Sequence, residues 1–302
     1  MTGARLPVEG AAAPHAGAPA GTLEERHARL EALLREMGSV LVAYSGGVDS
    51  AYLLLAAHRV LGERAVGLIA VSPSLARAEL DAALAVAREI GARLEVVETH
   101  EHENPAYQEN TPNRCYFCKT ELFDVCGPAA ARLELNEIVY GANLDDTGDF
   151  RPGMRAARER KIRGPLLEAG LSKADVRELA RRAGLSVWDK PSFACLASRI
   201  PHGTPVTVER LSRVERAEAC LRAAGFRQFR VRDLETMARV EVEAADLPRL
   251  VAEPLRSTLV GQIQALGFRS VVVDLAGFKS GSLNALTPGA GGAGTAAAPG
   301  DA

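Results

Sequence analysis

The chain predicts an α/β fold: a parallel sheet with helices on both faces, followed by a small α+β module. Three observations carry this. Short, nearly continuous apolar runs alternate with stretches whose apolar residues recur at helical spacing. The first of these runs ends in a glycine-rich turn that opens a helix. After Trp188 the alternation stops and strands follow strands.

The elements can be justified in order. "TLEERHARLEALLREMG" (22–38) has helical spacing and a glycine stop. "VLVAYS" is a buried strand, and "AYLLLAAHRVLG" after it is helical. "AVGLIAVS" is a second strand, "ELDAALAVAREIG" a helix, "ARLEVVET" a third strand and "NEIVYGAN" (136–143) a fourth. Such alternation argues for a sheet covered on both faces. Beyond Trp188 come a helix at 208–224, the strands "FRQFRVRD" and "MARVEVE", a helix at 254–266 and a strand at 270–275. Strand beside strand predicts a small antiparallel sheet here. The Ala/Gly/Pro-rich ends, 1–21 and 281–302, hold too few large apolar residues to offset ordering entropy and are expected to be disordered.

Composition narrows the class. With 302 residues, 47% hydrophobic and 25% charged, the chain can bury a substantial core. Its 36 Lys+Arg against 38 Asp+Glu give a net charge of −2, which speaks against bulk attraction to nucleic acid. No apolar run reaches the roughly 18 residues of a membrane span. No basic start leads into an apolar stretch, so no secretory signal is expected. Five cysteines, an odd number, suit reduced thiols in a cytoplasm.

The most informative stretch is "VAYSGGVDSAYLL" (42–54). A strand to Tyr44 leads into a loop at 45–49, with a helix expected from Ser50. Gly46 and Gly47 allow close backbone approach, Ser45 and Ser50 bring hydroxyls, and the helix N-terminus brings unpaired N–H groups. Together they make an anion cradle suited to phosphate. The Lys-[Ser/Thr] ending of a Walker A loop is absent. "YGANLDDTGD", with Gly141 and Asn143, leaves another strand at the same sheet edge, where α/β folds bind ligands, and reads equally well as an Asx-rich turn. "RCYFCK" sets Cys115 and Cys118 three residues apart, a spacing open to a disulfide, a zinc site, an iron–sulfur cluster or a helix face. Cys195 sits beside Ser198 and Arg199 in the irregular segment "WDKPSFACLASRIPHGTPVT", where a nearby guanidinium favours a thiolate. His202, seven residues on, keeps a Cys₃His zinc site open. Arg230 and Arg232 fall on one face of a strand, spaced to clamp a phosphate, and read equally well as a solvated strand face.

The Ser-Gly-Gly-x-Asp-Ser loop resembles the PP-loop of ATP pyrophosphatases. That resemblance implies ATP and Mg²⁺, with Ser45, Gly46, Gly47 and Ser50 gripping pyrophosphate and Asp49 serving the metal or the loop. The ordered set "SGGVDS", "ENPAYQENTPNRCYFCK", "GANLDDTGDFRPG", "WDKPSFACLASR" and "FRVRDLETMARVEV" is similar to the LarE family. These are sulfur transferases that help build the nickel-pincer nucleotide cofactor of lactate racemase. The similarity runs over about 23–278 and divides the folded chain into a PP-loop ATP-binding domain (22–190) and a sulfur-transfer loop with a C-terminal module (191–280).

The family implies that a carboxylate of pyridinium-3,5-biscarboxylic acid mononucleotide is adenylylated and then receives sulfur. Some members give up the sulfur of the cysteine matching Cys195. Others also carry the C-x-x-C pair and hold a [4Fe–4S] cluster on three cysteines, here Cys115, Cys118 and Cys195; the chain resembles this second kind. Ser198 and Arg199 match residues near the reacting centre, Arg230 and Arg232 match phosphate-binding arginines near an oligomer interface, and Glu218 matches an acid tied to a divalent cation. The "DLET" turn departs from the family's His/Gly-containing pattern, so no role carries to Asp233 or Glu235. A homo-oligomer, a hexamer in the family, and other cofactor-maturation proteins are the implied partners. Rival readings are a tRNA thiolase with a three-cysteine cluster, an ammonia-using PP-loop synthetase, and a non-catalytic zinc- or cluster-stabilised nucleotide-binding module. Cys126 and Cys220 have apolar helical neighbours and read as packing residues.

Overall fold

The computed structural model describes residues 21–148, 152–191 and 194–279. The two tails, apart from Gly21, lie outside these residues. The first half contains α1 (Leu23–Met37), β1 (Val40–Ala43), α2 (Val48–Leu61), β2 (Ala65–Val71), α3 (Arg77–Ile90) and β3 (Arg93–Glu98). It continues with α4 (Pro105–Gln108), α5 (Arg114–Arg132), β4 (Glu137–Tyr140), α6 (Pro152–Glu159), α7 (Pro165–Glu168) and α8 (Lys173–Arg182). The second half contains α9 (Val208–Ala223), β5 (Phe229–Leu234), β6 (Met237–Val242), α10 (Leu247–Val251), α11 (Leu255–Gln264) and β7 (Ser270–Val273).

The first four strands form one parallel sheet in the order β3-β2-β1-β4. β1 is buried on both sides, and its residues alternate between two cores as a pleated strand requires. Val40 and Val42 pack with α1, α2, α3 and α8, while Leu41 and Ala43 pack with α5 and α6. β3 is one edge strand; its Val96 is 54% exposed, so the cover on that face thins out there. α1 starts on a Thr22/Glu25 capping box, which satisfies its first N–H groups, and Gly38 ends it at φ +74°.

Leu54, fully buried on α2, tests this core. Leu54→Ala is expected to cost about 2–5 kcal/mol, seen as a lower urea midpoint at unchanged slope. A midpoint equal to wild type would contradict the packing.

Two expectations need correction. α2 begins at Val48 rather than Ser50, with Gly47 as its N-cap, so Asp49 lies inside the first helical turn. The second sheet, β5-β6-β7, is mixed rather than antiparallel. β5 and β6 pair antiparallel across a tight turn at Glu235, whereas β7 returns parallel to β6. The reason is the connection: α10 and α11 lie between β6 and β7, long enough for a parallel return. Among the described residues, no helix is long and apolar enough to cross a membrane.

Candidate active site

The connections from β1 run to β2 on one side, while β4 joins the sheet on the other. Loops leaving the carboxyl ends of β1 and β4 therefore part, and such a switch point opens a ligand crevice. A cavity of ≈ 690 Å³ lies there.

Part of its wall is built from the loop after β1. Gly46 has φ +71°, and a Cβ there would stand 2.4 Å from the Ala83 Cβ on α3, so only glycine fits. The Ser50 hydroxyl donates to the Gly47 carbonyl at 3.1 Å and accepts the Ser45 N–H at 3.1 Å, closing the loop on itself. The two hydroxyls of Ser45 and Ser50 also meet at 3.1 Å. N-cap Gly47 has no side chain to cap α2, which leaves the first-turn N–H groups to an anionic ligand.

The loop after β4 comes against this turn. A Cβ on Gly141 would lie 2.8 Å from the Ser50 nitrogen, so glycine is required by the close approach. Asn143 is buried and donates from Nδ2 to Asp49 Oδ1 at 3.3 Å, while its Oδ1 accepts the Asp145 N–H at 3.0 Å. The Asx turn and the ligand wall are therefore the same structure. Asp49 Oδ2 pairs with Lys173 Nζ, and the Lys173 N–H bonds Asp145. Lys173 went unmentioned in the sequence reading. Its signal was a cation in the first turn of α8, where the helix dipole disfavours positive charge.

The same cavity is lined by Cys115, Cys118 and Cys195. The first two belong to the start of α5; Cys195 precedes the short helical turn Leu196–Arg199. Arg114, buried and without a carboxylate partner, donates to Asn110 Oδ1 at 2.5 Å and the Ala197 carbonyl at 2.7 Å. It thereby ties α5 to the Cys195 segment and sits beside Cys115 and Cys195. The Leu196 N–H bonds the Ser74 carbonyl at 2.9 Å, fixing the segment to the loop after β2. Cys126 and Cys220 lie elsewhere: Cys126 in the core under the sheet, Cys220 against the core of the second sheet.

Burial pushes the Cys118 thiol up to about 12, with Glu101 and Cys195 adding to the effect. Burial likewise pushes Cys126 up to about 12. Cys115 and Cys195 are exposed. In metal-free protein at pH 8, iodoacetamide is therefore expected to modify Cys115 and Cys195 at least about tenfold faster than Cys118. The Cys118 rate should then climb roughly tenfold per pH unit towards 12. Peptide mass mapping checks the order; fast labelling of Cys118 at pH 8 would contradict it.

Arg199 and Glu218 both reach the cavity, but they are bound to each other. Arg199 Nε and Nη2 donate to the two Glu218 oxygens at 2.8 and 3.2 Å, and the arginine is 1% exposed. Its Nη1 holds the Ala194 carbonyl at 2.6 Å, the Cys195 carbonyl at 3.3 Å and the Ser198 hydroxyl at 3.1 Å. Glu218 also accepts the Val231 N–H at 3.1 Å. In this arrangement Arg199 holds the Cys195 segment, and Glu218 serves Arg199 and β5. Ser198 lies outside the cavity lining.

Arg230 and Arg232 share a strand face as expected, yet neither lines the cavity. The face is packed, not open. Arg232 Nε and Nη2 donate to Glu241 at 2.8 and 3.1 Å, and its Nη1 donates to the Ser198 carbonyl at 2.7 Å. Arg230 is buried over the Phe278 ring at 4.4 Å. Burial, with Arg232 and Arg199 nearby, lowers its guanidinium to about 10. His202 also lies outside the cavity and faces the Asn110 carbonyl at 3.2 Å. Among the described residues no three cysteine sulfurs come within 4.8 Å of one another, whereas tetrahedral zinc with Zn–S near 2.3 Å sets sulfurs about 3.8 Å apart.

Comparison with known proteins adds the family. No family model matches the chain. It is 45% identical over 262 residues to an uncharacterized protein of Synechocystis sp., covering 87% of this chain and 98% of that one. It is 27% identical over 241 residues to an uncharacterized protein of Methanocaldococcus jannaschii, covering 80% and 91%. Over 264 residues it is 34% identical to the pyridinium-3,5-bisthiocarboxylic acid mononucleotide synthase of Lactiplantibacillus plantarum, covering 87% of this chain and 95% of the synthase. A match of that extent, end to end across both sheets and the cavity between them, means that the chain belongs to the LarE family.

Proposed function

We propose that the protein is an ATP-dependent sulfur transferase that converts a carboxylate of pyridinium-3,5-biscarboxylic acid mononucleotide into a thiocarboxylate, in nickel-pincer nucleotide biosynthesis. One observation carries this reading: a single cavity joins the phosphate-cradling loop of β1 to three cysteines. An enzyme that only activates a carboxylate needs the loop; one that also delivers sulfur needs both.

In the reaction the acceptor carboxylate attacks the α-phosphorus of ATP, pyrophosphate leaves, and an acyl adenylate forms. The carbonyl carbon then takes sulfur, and AMP departs with its oxygen. Ser45, Gly46, Gly47, Ser50 and the α2 N-terminus bind the pyrophosphate portion. Gly141 and Asn143 keep the second wall close enough for Asp49 to stay oriented. The carboxylates of Asp49 and Asp145, hard oxygen donors on the cavity wall, suit Mg²⁺, which would neutralise phosphate charge. Lys173, now held by Asp49, is the cation best sited to follow that charge.

The three thiols fit a [4Fe–4S] cluster. They come from two segments, their sulfurs are spread wider than one metal ion requires, and Arg114, which meets no carboxylate among the described residues, lies beside them as a balancing cation. Cys115, Cys118 and Cys195 would hold it, and its fourth iron would carry a transferable sulfide. Arg199 keeps Cys195 at the cavity edge. Assembly through the second-sheet module, which exposes Val251 on α10 and Leu275 after β7, is proposed to give a homo-oligomer; a monomeric mass in light scattering would contradict that.

The test is metal content of protein purified without oxygen. About four iron and four to five sulfide per chain, the fifth being the transferable one, are expected, and both should be lost in Cys115→Ala. Zinc in place of iron would overturn the cluster. Cluster-free wild type that still forms thiocarboxylate once per chain would assign the sulfur to Cys195 itself.

A further inference from the structure

The proposed acceptor is a mononucleotide, so its phosphate needs a seat within reach of the cysteines. The arginines expected to supply it, Arg230 and Arg232, are packed outside the cavity. Among the described residues six cations line the cavity, including Lys119 beside Cys118, and three are already engaged. Lys173 belongs to Asp49, Arg199 to Glu218, and Arg114 to Asn110 and the Ala197 carbonyl.

One corner differs. Lys190 and Arg222 share a single carboxylate, Glu79, with Lys190 Nζ at 2.8 Å from one oxygen and Arg222 Nη2 at 3.5 Å from the other. All three line the cavity, and each comes from a separate part of the chain: Glu79 from α3, Arg222 from α9, and Lys190 from the segment leading towards Cys195. The corner is rigidly built. Arg177 donates to the Trp188 and Lys190 carbonyls at 2.9 Å each, and the Arg77 N–H at the start of α3 bonds Glu215 of α9 at 2.5 Å. The side chains themselves keep access to solvent, 22% for Lys190 and 38% for Arg222.

We infer that Lys190 and Arg222 form the phosphate seat of the acceptor, with Glu79 holding the two cations in position until the phosphate replaces it. The inference rests on the proposed function, because it takes the acceptor to be a phosphorylated nucleotide. Two cations on one acid leave net positive charge on this part of the cavity wall. A phosphate dianion there receives two charge-assisted bonds, one from an ammonium and one from a guanidinium. Glu79 is displaced rather than needed.

That asymmetry separates a binding seat from a plain salt bridge. The probes are pyridinium-3,5-biscarboxylic acid mononucleotide and the nucleoside left when a phosphatase removes its phosphate. Lys190→Met and Arg222→Gln are each expected to raise KM for the mononucleotide about tenfold, the scale of one charge-assisted hydrogen bond. They should leave KM for the nucleoside and for ATP within about twofold. Glu79→Gln should lower KM for the mononucleotide or leave it level. A structural bridge would instead make all three variants weaken both acceptors alike, which would overturn the inference. So would a phosphate-specific loss found in Arg230→Lys but in neither Lys190→Met nor Arg222→Gln. If wild type forms thiocarboxylate from neither probe, the proposed function itself fails; if it uses both with equal KM, only the phosphate seat fails.

Discussion

Cys195→Ser is expected to lower thiocarboxylate formation by about a thousandfold or more, the scale seen when a reacting group is removed. Acceptor-dependent ATP–pyrophosphate exchange should persist in the same variant. Under the proposed function, adenylylation relies on the loop after β1 and sulfur delivery on the cysteines, so the two half-reactions should separate. Cys195 touches none of the groups that close the Ser45–Ser50 loop, and its own carbonyl remains held by Arg199. The outcome is the same whether Cys195 ligates a cluster or gives up its own sulfur, because either role needs the thiol. Product mass and radiolabelled pyrophosphate exchange read the halves independently. Full sulfur transfer by Cys195→Ser would remove the cysteine from the chemistry. Loss of exchange as well would mean that the two half-reactions are not separable.

The second large effect is on stability. Arg199→Met leaves Glu218 buried with one backbone N–H for company, and an unpaired buried charge typically costs about 3–5 kcal/mol. Glu218→Gln keeps the shape but removes the charge opposite Arg199, and should cost a comparable amount. The variants are expected to differ in one respect. Arg199→Met also frees the Ala194 and Cys195 carbonyls, so alkylation of Cys195 should change in that variant before any global unfolding. Urea unfolding and time-resolved labelling test the pair; wild-type stability in both variants would contradict the buried bridge.

The first sheet was legible because its strands are buried, and burial on both sides writes itself as unbroken apolar runs such as "AVGLIAVS". The β1 loop was legible for the same local reason, since two glycines and two serines before a helix have few other uses. What stayed hidden depends on distant pairs. Arg199, Arg232, Glu218 and Glu241 have the composition of a solvated surface, yet each is at most 4% exposed, because each finds its counter-charge on a neighbouring element: Glu218 on α9 for Arg199, and Glu241 on the paired strand for Arg232. Lys173 meets Asp49 from 124 positions away, a contact no window of sequence contains. The parallel pairing of β7 was missed because periodicity reports a strand but not its direction. The three cysteines were singled out as a set, and the cavity brings them together; Ser198, Arg230 and Arg232 were singled out with them, and they stand outside its wall.

The most direct test of the account is the product itself. Protein purified without oxygen is mixed with ATP, Mg²⁺ and pyridinium-3,5-biscarboxylic acid mononucleotide, and the acceptor is followed by mass spectrometry alongside AMP. The account predicts an acceptor in which one oxygen has been exchanged for sulfur, formed with one AMP and one pyrophosphate and absent without ATP. AMP released with the acceptor unchanged, or an acceptor carrying nitrogen in place of sulfur, would contradict it.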